Sequence, residues 1–129
     1  MVEIRVKSTR RIEAKDITEL VSGEISSSEN GFVHLFCEHT TCGLTINENA
    51  DPDVMRDVID ALSRLAPADY PYRHAEGNSD AHVKSSLVGH SLWVPVRRGK
   101  LVLGTWQGIY LMEFDGPRER KVIVSWMKS

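Results

Sequence analysis

The segment Arg73-His74-Ala75-Glu76-Gly77-Asn78-Ser79-Asp80-Ala81-His82 brings two imidazoles and two carboxylates together with almost no apolar content. Core packing does not explain such a stretch. Imidazole and carboxylate are common ligands of divalent transition metals, and they are the common general acids and bases. Gly77 and Asn78 are turn-forming residues that bend the chain between the two histidines. Seven residues separate His74 from His82. That spacing belongs neither to a zinc finger nor to two histidines one helical turn apart. A metal site and a solvated loop whose histidines bond locally both fit it. Glu76 and Asp80 add weight to the first, as ligands or as partners that orient an imidazole from behind.

A second polar segment runs from Glu38 to Asp53. His39-Thr40-Thr41 follows an apolar run, and a polar cluster at the end of a rigid strand is well placed to hold a ligand. A turn whose threonine hydroxyls satisfy the backbone is the plainer account. Asn47-Glu48-Asn49 presents the same choice, between groups lining a cavity and a helix entry. Gly104-Thr105-Trp106-Gln107-Gly108 lacks the lysine of a phosphate loop. Trp106 there is either the wall of a pocket for an aromatic ring or a packed residue at a bulge. Lys84, Arg97, Arg98, Arg118 and Arg120 are candidate anion contacts, against the general tendency of such residues to be solvated. Cys37 and Cys42 read as small buried apolar groups. His34 and His90 read as structural.

The elements that must position these groups follow from periodicity. Val2, Ile4 and Val6 alternate with charges, which predicts a half-buried strand. Asp16 caps a short helix through Ile17, Leu20 and Val21 that ends near Gly23. Glu24–Asn30 reads as loop. Gly31–Cys37 is a strand, apolar on both faces apart from His34 and therefore central. Leu44-Thr45-Ile46 is a short strand. Asp51-Pro52-Asp53 starts a helix to Leu65, with Val54, Val58, Leu62 and Leu65 on one face, which packs on the sheet through Val54, Val58 and Leu62. Asn78, Ser79 or Asp80 caps another helix, which carries Val83 and Leu87 and closes at Gly89. Strands follow over Ser91–Val96, Lys100–Leu103 continuing irregularly through Tyr110–Phe114, and Arg120–Met127. Arg97-Arg98-Gly99-Lys100 is a hairpin connection. Strands outnumber helices, and the helices are grouped mid-chain. The expectation is a single α+β domain over residues 1–129 with a mixed or antiparallel sheet.

Composition narrows the function classes. With 129 residues, 41% hydrophobic and 26% charged, the chain is long enough for a real core. A net charge of −2 gives no general attraction to nucleic acid or anionic lipid. No apolar run reaches a membrane span. Met1 leads into Val2-Glu3-Ile4-Arg5-Val6, which lacks the apolar core of a signal peptide, so a cytoplasmic location is expected. Two cysteines make no disulfide framework.

Taken together, His39-Thr40-Thr41, Asn47 to Asp53, His74 to Gly77, Asp80-Ala81-His82 and Gly104 to Tyr110 resemble the YjbQ-type family, also called secondary thiamine-phosphate synthases. The resemblance covers nearly the whole chain, most strongly Gly31 to Glu113. It implies barrel-like sheets with two or three short helices, a homotrimer, and a polar site near or at subunit contacts in which His39, His74 and His82 hold a metal. It also implies an activity that joins an aminopyrimidine-methyl diphosphate to a thiazole phosphate, giving thiamine phosphate and diphosphate.

The expectation is therefore a metal-assisted enzyme acting on a small phosphorylated metabolite. Its metal ligands are His39, His74 and His82. Glu48, Glu76 and Asp80 transfer protons or support the ligands. Thr40, Thr41, Asn47, Asn49, Lys84, Thr105, Trp106 and Gln107 contact the substrate, with Lys84 and its helix N-terminus meeting a phosphate. Three histidines favour zinc or another transition metal, whereas a diphosphate substrate would bring magnesium. A metal-dependent hydrolase and a non-enzymatic trimeric binder of a phosphorylated metabolite are the competing readings.

Overall fold

The computed structural model describes residues 1–129. Eight strands and three helices follow in the order β1 (Val2–Lys7), β2 (Glu13–Asp16), α1 (Thr18–Ser22), β3 (Gly31–Cys37), β4 (Cys42–Glu48), α2 (Pro52–Leu65), α3 (Ser79–Val88), β5 (Ser91–Arg97), β6 (Lys100–Leu101), β7 (Gln107–Glu113) and β8 (Glu119–Lys128). They form a five-stranded sheet, β1-β8-β3-β5-β6, and a three-stranded sheet, β2-β7-β4. Every pairing is antiparallel, so the mixed alternative drops out. The sheets curl into a half-barrel. No helix is long and apolar enough to cross a membrane.

Strand β7 explains the layering. Ile109 and Leu111 point into a core shared with Val33, Leu35, Val94, Val122 and Val124 of the larger sheet. Tyr110, Met112 and Phe114 point the other way, toward Met55 of α2 and Ala81 of α3. A strand buried on both faces joins two cores, giving sheet, sheet and helices in layers. β3 is central, between β8 and β5. Its inner residues are buried, while Phe32 and Phe36 stand exposed on the outer face.

Helix α2 begins as its sequence predicts. The Asp51 carboxylate accepts from the Asp53 N–H at 2.9 Å, and Pro52 opens the first turn. Its buried stripe is displaced from the expected one. Met55, Val58, Ile59 and Leu62 meet the core, whereas Leu65 is 73% exposed. At roughly 100° per residue, Val54 and Leu65 lie about 70–90° from the centre of that stripe. Strand β2 is absent from the expectation because Glu13-Ala14-Lys15-Asp16 shows no apolar alternation. It exists through its pairing with β7, from Glu13 opposite Glu113 to Asp16 opposite Tyr110.

Helix α3 reverses the expected polarity. Val83 and Leu87 are exposed, while Ser79, Asp80, Ala81, Lys84 and Ser85 are buried. The buried charges are paired. Lys84 Nζ donates to Asp80 Oδ2 at 2.9 Å, and Arg11 Nη2 donates to Asp80 Oδ1 at 2.9 Å. The Ser85 hydroxyl donates to the Cys42 carbonyl at 2.8 Å. Gly43 lets the helix end approach β4: a Cβ there would sit 2.6 Å from the Gly89 oxygen, which accepts from the Leu44 N–H.

A second buried pair, Glu113 with Arg120, ties the end of β7 to the start of β8. Arg120 donates from Nε to Glu113 Oε1 at 2.9 Å and from Nη2 to Oε2. Ser8 Oγ donates to Oε1 at 2.7 Å, and the Asp115 N–H donates to Oε2 at 3.0 Å. Burial alone would push the Glu113 carboxyl up, but the bonds from Arg120, Ser8 and Asp115 outweigh it and hold it below the ordinary range.

Met55→Ala should cost about 2–5 kcal/mol in a urea titration, and Leu65→Ala should stay within about 0.5 kcal/mol. Equal losses would mean the stripe lies elsewhere. For Glu113, a depressed folded pKa stabilises fully above the unfolded value and loses that contribution as pH falls through the folded one. Stability should therefore drop from about pH 4–5 downward. Glu113→Gln should flatten that limb and cost about 3–5 kcal/mol at neutral pH, because Arg120 is left buried and unpaired. Urea midpoints measured at several pH values check both; an unchanged acid limb in the variant would refute the assignment.

Candidate functional site

Three segments converge at one end of the half-barrel. The β3–β4 loop supplies Glu38, His39, Thr40 and Thr41. The chain entering α3 supplies Glu76, Asn78 and His82, and the start of β8 supplies Arg118 and Arg120. Together these side chains line a polar cavity of about 350 Å³ with no apolar wall.

Each wall is held from behind. Arg120 Nη2, anchored on Glu113, donates to Thr41 Oγ1 at 2.8 Å and so fixes the loop. The Lys121 N–H donates to His39 Nε2 at 2.9 Å. That bond requires an unprotonated Nε2 and leaves the proton on Nδ1. Burial first, and then the Arg120 charge, lower the His39 pKa, so its ring is neutral at pH 7. Arg118 Nη2 and Asn78 Nδ2 both donate to Asp115 Oδ2, each at 2.8 Å. Asn78 Oδ1, by contrast, is buried without a hydrogen-bond partner.

His74 and His82 meet edge to face with ring centroids 5.4 Å apart. His74 Nδ1 is 2.7 Å from Ser79 Oγ, and its Nε2 is 3.6 Å from Glu76 Oε1. His82 lines a second recess with His74, Ser79 and Val83. His82 thus touches both other histidines' surroundings. Even so, no group of three or more His, Cys, Asp or Glu residues is arranged to hold a metal within the chain. His39 Nε2 is already committed to Lys121. His39, His74 and His82 therefore do not form one such cluster within the chain.

Other expected site residues lie elsewhere. Lys84 is 1% exposed in its ion pair with Asp80, so it is no surface phosphate contact. Asp80 is spent on Arg11 and Lys84 rather than on an imidazole. Burial raises its carboxyl pKa, and those two partners more than reverse the effect. Asn47, Glu48, Asn49, Thr105, Trp106 and Gln107 gather at the far end of β4. Six residue steps at about 3.3 Å put that end roughly 20 Å from the cavity loop. There, Glu48 Oε2 accepts from the Asp51 N–H at 3.2 Å, and Asn49 Nδ2 donates to Asp16 Oδ2 at 3.3 Å. The Asn49 N–H donates to the Trp106 carbonyl at 3.0 Å, and Gln107 Oε1 accepts from the Gly104 N–H at 2.8 Å. Asn49 packs over Gly108, where a Cβ would fall 2.7 Å from its amide nitrogen.

Sequence reasoning missed Glu38 and Asn78 as cavity residues. It also left Arg118 and Arg120 among five interchangeable cations. A signal for Arg120 was present: it shares the inward parity of Val122 and Val124 on β8, and a charge on that face needs a buried partner.

Cys37 and Cys42 are buried in the main core, as expected of them, with their sulfurs 3.2 Å apart. The hydrogen bond between them lowers the Cys37 pKa and raises that of Cys42. His90 Nε2 lies 2.8 Å from Ser85 Oγ. His34 packs against Trp93 with ring centroids 4.5 Å apart.

The family described as "UPF0047 protein YjbQ-like" matches residues 2–129. A UPF0047 protein of Methanocaldococcus jannaschii is 48% identical over 96% of this chain and 91% of its own length. The UPF0047 protein YugU of Bacillus subtilis is 46% identical over 96% of each chain. Among solved structures, an uncharacterised YjbQ/UPF0047 protein of Clostridium acetobutylicum superposes with a TM-score of 0.94 at 48% identity, covering 98% of this chain and 100% of that one. A YbjQ-like protein of unknown function from Sulfolobus solfataricus gives 0.94 at 33% identity, covering 99% of this chain and 96% of that one. Matches of this extent, over chains of the same fold, place the protein in the YjbQ/UPF0047 family.

Proposed function

We propose that the protein is an enzyme acting on a small phosphorylated metabolite in the cavity between His39, His82 and Arg118. The carrying observation is the convergence of two imidazoles, two threonine hydroxyls and two guanidinium groups on one cavity, with the first turn of α3 beside it. Asn78 makes no side-chain cap at that helix. The Ala81 and His82 N–H groups turn back to the Asn78 carbonyl, so the Ser79 and Asp80 N–H groups and the positive end of the dipole remain for an anion. His39, neutral and protonated on Nδ1, is a fixed donor. His82, with Glu76 nearby, is the group placed to move a proton.

The reaction that the resemblance implies is a transfer from an aminopyrimidine-methyl diphosphate to a thiazole phosphate. A departing diphosphate needs cationic and N–H donors aimed at the developing charge; Arg118 and the α3 N-terminus are of that kind, and the buried Arg120 adds its charge from behind Thr41. A divalent ion such as zinc, or magnesium carried in by the diphosphate, would need donors from outside the chain beside the His74 and His82 imidazoles. No step assigned here depends on it.

Association fits the same reading. Phe32, Phe36, Trp93 and Met127 leave an exposed apolar band on the outer face of the five-stranded sheet. Patches of this kind mark contact surfaces, and we assign this one to a homotrimer. Light scattering at micromolar protein should return three chain masses, and Trp93→Glu should lower that mass. A monomer from the unmodified protein would end the assignment.

Activity is tested by supplying the diphosphate and the thiazole phosphate and following thiamine phosphate and released diphosphate. His82→Ala should slow turnover by about 10²–10⁴-fold while the unfolding midpoint stays close to that of the parent. Hydrolysis of the diphosphate without coupling would favour the hydrolase. Binding without turnover of any phosphorylated compound would leave a binding protein.

A further inference from the structure

Cys37 ends β3 and Cys42 begins β4, so the two thiols face each other across the core at the root of the Glu38–Thr41 loop. Their sulfurs are 3.2 Å apart, at hydrogen-bond distance, with either able to donate. A disulfide bond is about 2.05 Å long, so closure needs a shift of roughly 1 Å. Both thiols are buried, Cys37 at 1% exposure, and they differ in what lies beside them. Cys37 lines a surface cavity of about 430 Å³ with Phe36, Glu38, His39, Thr40 and His90. Cys42 is 0% exposed and lines none of the main cavities.

We propose that Cys37 and Cys42 form a reversible oxidation site, a dithiol that a hydroperoxide converts to an intramolecular disulfide beneath the loop carrying His39 and Thr41. Cys37 reacts first, because its residue borders that surface cavity and Cys42 does not. Its sulfur takes one oxygen from the hydroperoxide, the O–O bond breaks, and the remainder leaves as water or an alcohol, giving a sulfenic acid. The Cys42 sulfur then attacks the Cys37 sulfur. The S–O bond breaks, hydroxide leaves with the Cys42 proton as water, and the disulfide remains. Two thiols are oxidised, one peroxide bond is reduced, and an external dithiol reverses the process by exchange. Buried cysteines are ordinarily inert for want of access. Here a surface cavity borders the residue that carries one thiol, so a small local opening exposes it, and the second thiol lies next to it to resolve the sulfenic acid.

The consequence falls on the candidate site. The new bond ties the end of β3 to the start of β4, with only Glu38, His39, Thr40 and Thr41 between. Those residues form one wall of the polar cavity. Oxidation thus restrains the loop while leaving both sheets paired as they are. The proposal does not rest on the assigned activity, since the thiols and the cavity beside them are defined whatever the substrate.

The test uses the full chain and hydrogen peroxide. The protein is oxidised, the peroxide is removed, and the chain is unfolded with a maleimide and mapped by mass spectrometry. The expected product has lost two hydrogen atoms, takes up no maleimide, yields a linked peptide containing Cys37 and Cys42, and recovers both thiols with dithiothreitol. Cys42→Ser should accumulate a sulfenic acid at Cys37 that dimedone traps, whereas Cys37→Ser should leave Cys42 unreacted. Amide exchange across Glu38–Thr41 should slow in the oxidised protein. Two maleimide adducts after peroxide, a cross-link between chains, or oxidation of Cys37 past the sulfenic acid with Cys42 present would each overturn the proposal. If either serine variant fails to fold, the peptide map of the unmodified protein decides alone.

Discussion

The buried pair between Glu113 and Arg120 is the contact on which both architecture and site depend. Glu113 ends the strand shared by the two cores, and Arg120 is the second residue of the long strand of the larger sheet. Their pairing closes the junction between sheets. The same guanidinium then reaches Thr41, so the junction also sets the position of the cavity loop. A buried ion pair contributes little net stability over a well-packed apolar one. What it supplies here is geometry, because a planar guanidinium bonded on two edges leaves its partners few alternatives.

A similar logic governs α3. A helix that turns Asp80, Lys84 and Ser85 inward can pack only if every polar atom finds a partner. Arg11, Lys84 and the Cys42 carbonyl supply those partners. The helix is thereby held by directed bonds, which fix its rotation about its own axis. That rotation brings His82 round to the cavity and leaves Val83 and Leu87 outside. An apolar inner face would have allowed more rotational slack. The polarity reversal and the placement of His82 are thus two results of one arrangement.

The two polar motifs on either side of β4 show why closeness in sequence misleads about sites. His39-Thr40-Thr41 and Asn47-Glu48-Asn49 look like one polar region interrupted by a short apolar run. An extended chain converts that interruption into most of the width of the domain. Within one chain the motifs therefore serve different neighbourhoods. The first joins His82, Arg118 and Arg120, and the second joins Asp16, Trp106 and the start of α2.

Several features were legible in the residues themselves because they rest on local physics. The alternation of Val2, Ile4 and Val6, the apolar run Gly31–Cys37, the helix start at Asp51-Pro52-Asp53 and the turn at Arg98-Gly99 each depend on a few neighbours. The family was legible from motifs that span the chain. The tertiary structure alone decided which charges would be interior. Arg11 meets Asp80 across 69 residues, and Arg120 meets Thr41 across 79. No periodicity encodes such pairs, and a lone charge is most often solvated. Lys84 therefore looked like a ligand contact, and Arg120 looked like one surface cation among five. Strand β2 belongs to the same class, since its existence comes from hydrogen bonds to β7 rather than from any pattern of its own.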